Sequence, residues 1–196
     1  MKYQFIFLKA IFLTFFLALH AYAAATPSRN ILILNSYHPG YKWSDEITTG
    51  IVDGLTDKYP EAVRYIEYMD TKHFPDDANI LKLHELYKLK YSQTKFDVVI
   101  SSDDNAFNFL KKYAEDIFPK TLVVFCGVNY FKTEDISGFP LFTGVNEEAD
   151  IKSGIEIALK MHPDTKRIVF VNDTTTTGKK VHQKFLAVAS DYQNRV

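Results

Sequence analysis

The sequence predicts an α/β fold, a doubly wound and mostly parallel sheet. Three observations predict it. Short apolar runs rich in β-branched residues alternate with amphipathic helical segments. A polar cluster follows most of these runs at once, as at the carboxyl ends of parallel strands. After residue 25 no apolar run approaches the roughly 20 residues that a bilayer span needs, so these runs read as core strands.

The elements follow in order. Residues 30–35 (NILILN) form a buried parallel strand. Residues 36–43 (SYHPGYKW) are a loop punctuated by Pro39-Gly40. Ser44 caps a helix to about Tyr59, with Ile47, Ile51 and Leu55 on one face, and Pro60 stops it. Residues 62–68 are a second strand. A helix starting at Asp76 or Asp77 runs to about Ser92, with Ile80, Leu83, Leu86 and Tyr87 as its buried stripe.

Residues 96–100 (FDVVI) are the third strand, and 101–105 a polar turn into the next helix. That helix buries Phe107, Leu110, Tyr113 and Ala114 and ends before Pro119. Residues 121–125 are the fourth strand, and 141–145 a short fifth. A helix over 150–161, a strand over 167–171 (RIVFV), a turn over 174–178 and a helix from Lys179 complete the chain. Right-handed crossovers make the whole a doubly wound sandwich. The spacing changes near 141–150, which sets a boundary between a first unit, 28–145, and a second, 146–196.

The N-terminus reads differently. Lys2 and Lys9 precede an apolar stretch, and Ala21-Tyr22-Ala23 offers a small-x-small cleavage signal. Residues 1–25 are therefore expected to direct export, either as a cleaved signal peptide or as a retained anchor. The formal net charge of -1 gives no general attraction to nucleic acid. Cys126 is the single cysteine, so no internal disulfide forms, and its apolar run predicts a buried structural thiol.

Ligands of open parallel sheets bind outside the strand carboxyl ends. Those ends carry Ser36-Tyr37-His38, Asp70-Thr71, the 101–105 cluster, Gly127-Val128-Asn129 and Asn172-Asp173-Thr174. Each residue taken singly reads equally well as a helix cap. Convergence on one rim favours binding. Tyr37 and Trp43 supply ring faces, with a packing plug as the structural alternative for Trp43. Ser36 and Asn129 supply hydrogen bonds. Asp103 or Asp104 meets a ligand amine or caps the following helix. His38, Asp173 and Thr174 complete the candidate set.

Enzyme signatures are absent from the sequence. It has no GxGxxG after the first strand, no GxxxxGK[ST] and no GxSxG. His84-Glu85 lacks the second histidine of HExxH, and the six histidines show no metal-ligand spacing. Asp103-Asp104 could hold a cation in a receiver-like phosphoryl site, which suits an exported chain poorly. Asn172-Asp173-Thr174 matches a glycosylation acceptor, a three-residue pattern common by chance. The expectation is a non-catalytic domain without metal or cofactor.

Residues 30–50 (NILILNSYHPGYKWSDEITTG) resemble the opening of domains grouped with ABC transporter substrate-binding proteins. The resemblance is strongest to versions fused to bacterial histidine kinases and diguanylate cyclases. SYHPGYKW is its specific part; DVVISSDDN (97–105) and VVFCGVN (123–129) follow in the same order and spacing. The resemblance spans about residues 30–190. It implies a type I periplasmic-binding-protein fold, with two Rossmann-like lobes around a ligand cleft and the second lobe incomplete. It also implies an extracytoplasmic sensory domain belonging to a longer membrane signalling protein. A freestanding binding protein partnered by an ABC permease is the alternative, and an exported α/β enzyme is the third reading. In each binding reading the partner is a small molecule.

Overall fold

A computed structural model describes residues 28–193. The export segment predicted over residues 1–25 lies outside them. Among the described residues no helix is long and apolar enough to cross a membrane.

Five parallel strands form one sheet in the order β2-β1-β3-β4-β5. They are β1 (Asn30–Asn35), β2 (Val63–Tyr68), β3 (Val98–Ser102), β4 (Leu122–Asn129) and β5 (Phe142–Glu147). The helices are α1 (Lys42–Lys58), α2 (Asp77–Lys90), α3 (Asp103–Ile117), α4 (Ile151–Met161) and α5 (Thr176–Ala189). The predicted Rossmann-like α/β class is what the chain adopts. β1 and β3 are neighbours, yet the chain leaves β1 to build β2 on one side before returning. Their carboxyl ends therefore form the topological switch point, where a crevice opens in such sheets.

The central strands are apolar because both faces are covered. Leu32, Ile33, Leu34, Val99 and Val123 are fully buried. Leu32, Leu34, Val99 and Val123 pack with Tyr87, Phe96, Phe109 and Leu110 in the main core. A smaller cluster of Phe107, Phe125 and Val128 lies beside it. Burial of each such aliphatic or aromatic side chain contributes about 1.5–3 kcal/mol. The predicted stripe of α2 needs one correction. Tyr87 is buried, but Leu86 is 51% exposed, because the helix meets its neighbours with only one edge.

Three further expectations are corrected. Ser44 is no cap: α1 starts at Lys42 with Tyr41 at its N-cap, and Ser44 sits buried in the first turn. Residues 101 and 102 are strand, and α3 begins directly at Asp103, so no loop separates them. β4 likewise continues through Gly127 to Asn129, past an irregularity in its pairing with β5 between Phe125 and Val128.

The predicted strand over 167–171 does not form. A strand is stabilised by a neighbour's hydrogen bonds, and no ladder reaches this segment among the described residues. Val169 and Val171 are 71% and 85% exposed. Two helix starts fare better: Asp76 caps α2 and Asp150 caps α4, each accepting from a backbone N–H. The last helix, α5, starts at Thr176 and not at Lys179, because Thr175 caps it by accepting from the Gly178 N–H within the segment expected to be a turn. α5 then packs back against α3 and β4, which brings residues from the C-terminal part of the chain onto the rim.

Candidate functional site at the sheet switch point

Ser36 is the hinge pin of the rim. Its hydroxyl donates to the Ser102 carbonyl at 2.8 Å and accepts from the Ala106 N–H at 2.8 Å. The carboxyl end of β1 is thereby tied to both β3 and the first turn of α3. Thr71, after β2, donates to the Ser36 carbonyl through its N–H (2.9 Å) and its hydroxyl (2.7 Å). Asn105 Nδ2 donates to Thr71 Oγ1 at 2.7 Å. Ser36 thus acts on backbone and not on open space.

Asp103 occupies a sharp strand-to-helix corner. Its φ of 73° lies in the left-handed region, which aspartate tolerates better than bulkier residues. The side chain holds the corner. Oδ1 accepts from the Asp104 N–H at 2.6 Å, and Oδ2 accepts from the Tyr37 hydroxyl at 2.7 Å. Asp103 is the first residue of α3, after Ser102 at the N-cap, so its carboxylate braces the corner through Asp104 N–H and Tyr37 and makes no helix-capping bond. Burial, opposed by the Tyr37 hydrogen bond and reinforced by the Asp104 charge, pushes its carboxyl up to about 6. The same burial, with Asp103 beside it, drives the Tyr37 hydroxyl far above its ordinary range.

Asp104 is fully buried with both oxygens taken. Oδ1 accepts from Lys180 Nζ at 2.5 Å, and Oδ2 from Asn129 Nδ2 at 3.0 Å. Lys180 also donates to the Asn129 carbonyl at 3.1 Å. A ligand amine at Asp104 would have to displace Lys180. Asn129 therefore serves the same internal network.

Trp43 lies against Gly127. An added Cβ at Gly127 would sit 2.6 Å from Trp43 Cη2, and Gly127 holds φ 64°. Glycine is required there on both counts. The packing reading of Trp43 fits this contact, with its ring centroid 6.1 Å from that of Tyr37. Asp173 accepts from the Thr175 N–H (3.0 Å) and hydroxyl (2.5 Å) and orders the turn entering α5. Those bonds hold its carboxyl below the usual range. His38 lies on the outer rim beside Tyr41, ring centroids 5.8 Å apart.

The open space lies one step outward. A cleft of about 430 Å³ runs between the loop after β2, the outer side of α3 and the start of α5. Of the predicted residues, Tyr37 and Thr174 line it; Ser36, Asp103, Asp104, Asn129, Trp43, His38 and Asp173 do not. Its charged lining is Lys72, Lys112, Lys179 and Asp77. Lys72 Nζ stands 4.4 Å from the Tyr37 ring centroid.

Sequence reasoning missed the residues that α5 contributes. Thr177 reaches the Tyr37 hydroxyl at 3.1 Å, Thr176 donates to Asn105 Oδ1 at 2.9 Å, and Lys180 pairs with Asp104. More than seventy residues separate the partners in the last two contacts, so no local spacing could disclose them. Cys126 is half-buried, its Sγ 3.5 Å from the Ser101 carbonyl, and burial pushes the thiol up to about 11. It is a poor nucleophile in that state.

Comparison with protein-family models, with curated proteins and with solved structures finds no match to this chain.

Proposed function

We propose that this chain is an exported small-molecule-binding domain, the sensory part of a membrane signalling protein, and that its ligand is anionic. The observation that carries the ligand class is the lining of the cleft: three lysines, Lys72, Lys112 and Lys179, against the single carboxylate of Asp77. A concave surface with one sign of charge raises the local concentration of oppositely charged ligand. The volume suits a small metabolite. Tyr37, Ile80, Phe109 and Tyr113 add apolar and aromatic wall.

The switch-point location supports binding, and the N-terminal sequence pattern supports export. The polar contacts of α5 support a sensing role. Thr176, Thr177 and Lys180 bridge the two sequence units at the rim, so a ligand preferring this arrangement over a looser one would shift their equilibrium.

The test is thermal shift and calorimetry on the full chain, with small carboxylates and phosphate esters in one panel and amines in the other. An anion at about 100 times its Kd should stabilise the fold by about 2.7 kcal/mol. Lys179→Met should weaken its binding roughly tenfold, the loss of one charge-assisted hydrogen bond. Binding of amines alone, or anion binding indifferent to both Lys72→Met and Lys179→Met, overturns the reading.

A further inference from the structure

Two loops far apart in sequence bring three metal-type donors to one corner of the rim. His38 follows β1, while Asp70 and His73 follow β2. One donor atom from each lies within 4.8 Å of the other two. The two imidazoles are stacked, with centroids 4.4 Å apart and planes at 24°.

The rings are already oriented by their neighbours. His38 Nδ1 faces the Pro39 carbonyl at 3.0 Å, which only accepts, so the proton sits on Nδ1. His38 therefore keeps its lone pair on Nε2, and its Pro39 contact is an outer partner of the kind that fixes metal-binding histidines. His73 Nδ1 lies 2.7 Å from Asp70 Oδ1, so a metal would take the place of the proton these two atoms share. Asp70 itself is held by its turn. Its φ is 53°, and its carbonyl accepts from the N–H groups of His73 (3.2 Å) and Phe74 (3.0 Å).

We propose that His38, Asp70 and His73 form a binding site for a first-row divalent transition metal, with Zn²⁺ as the reference occupant. Two imidazoles and one carboxylate suit zinc, nickel or copper, whereas magnesium and calcium prefer all-oxygen shells. Three protein ligands leave one tetrahedral position for water or an outside donor. Bonds of about 2.0–2.1 Å put tetrahedral ligands about 3.3 Å apart, so the site must tighten on binding. The His73 side chain is 58% exposed and has room to turn inward. Lys72, between Asp70 and His73 in sequence, is drawn onto the Tyr37 and Tyr41 rings, 4.4 and 5.0 Å from their centroids. None of the three ligands lines the anion cleft, although their chain neighbours Tyr37, Thr71 and Lys72 do, and the metal site does not rest on the anion reading.

The test is calorimetry with Zn²⁺ and absorbance with Co²⁺ on the chelator-stripped full chain. One equivalent should bind at micromolar Kd or tighter, with the visible bands of low-symmetry cobalt. His38→Ala and His73→Ala should each weaken binding at least tenfold, while His162→Ala should not. Melting in chelator checks that the variants fold; His73→Gln replaces the alanine variant if that one melts early. Absence of saturable binding up to about 100 μM metal, a Kd near the weak end of specific association, overturns the proposal. Binding that survives both histidine substitutions overturns it as well.

Discussion

Replacing Asp103 by asparagine should make this protein more stable at neutral pH, and the gain should vanish in acid. Asp103 is 3% exposed, and its carboxyl titrates near 6 in the fold against an ordinary 3.8. The folded state thus holds its proton where the unfolded chain has released it. The sign follows: stability falls as pH rises from 3.8 to about 6, and the full deficit is present above that. At 1.36 kcal/mol per pKa unit the deficit is about 3 kcal/mol at pH 8 and about 1 kcal/mol at pH 4.5. Asparagine does not titrate and can keep both contacts. Its Oδ1 can accept from the Asp104 N–H, and its amide can donate to the Tyr37 oxygen, leaving that hydroxyl to donate to Thr177. Asparagine also tolerates the left-handed backbone at this corner. Urea unfolding of both proteins between pH 4.5 and 8 measures the difference. The variant's advantage should grow by about 2 kcal/mol across that range, about 4–8 °C in melting temperature. A difference that stays flat with pH, or a variant less stable at pH 8, would refute the assignment of a strained buried carboxylate.

Two further outcomes follow from the same rim. Lys180→Met strips the paired cation from a fully buried carboxylate, Asp104, and should cost about 2–4 kcal/mol, with part recovered by adding Asp104→Asn; thermal melts of the four proteins would show whether that coupling exists. Gly127→Ala meets both a φ of 64° and the Trp43 ring at 2.6 Å, so its urea midpoint should fall by the equivalent of about 2 kcal/mol or more, and an unchanged midpoint would sink the packing account of Trp43.

The sequence already displayed much of this architecture, for a local reason. Runs such as NILILN are apolar on both faces because a central parallel strand is covered on both faces, and that composition is visible without coordinates. Asp76 and Asp150 announce helix starts because a cap acts within three residues of itself. The run RIVFV shows the limit of composition. It has the residues of a strand, but a strand exists only where a neighbour completes its ladder.

At the site the division is sharper. Position at the strand carboxyl ends was legible, and so were Tyr37 and Asp103 as its polar residues. The partners of those residues were not. Whether Asp104 greets a ligand or an internal lysine depends on where α5 returns, 76 positions later. Whether six scattered histidines include a pair depends on β1 and β2 lying side by side, which brings His38 onto His73. The sequence by itself determined the doubly wound α/β class and the polar character of the rim, because hydrophobic periodicity and capping are short-range. Only the tertiary structure decided which polar groups satisfy each other and which face open space, because buried charges take their partners from the whole folded chain.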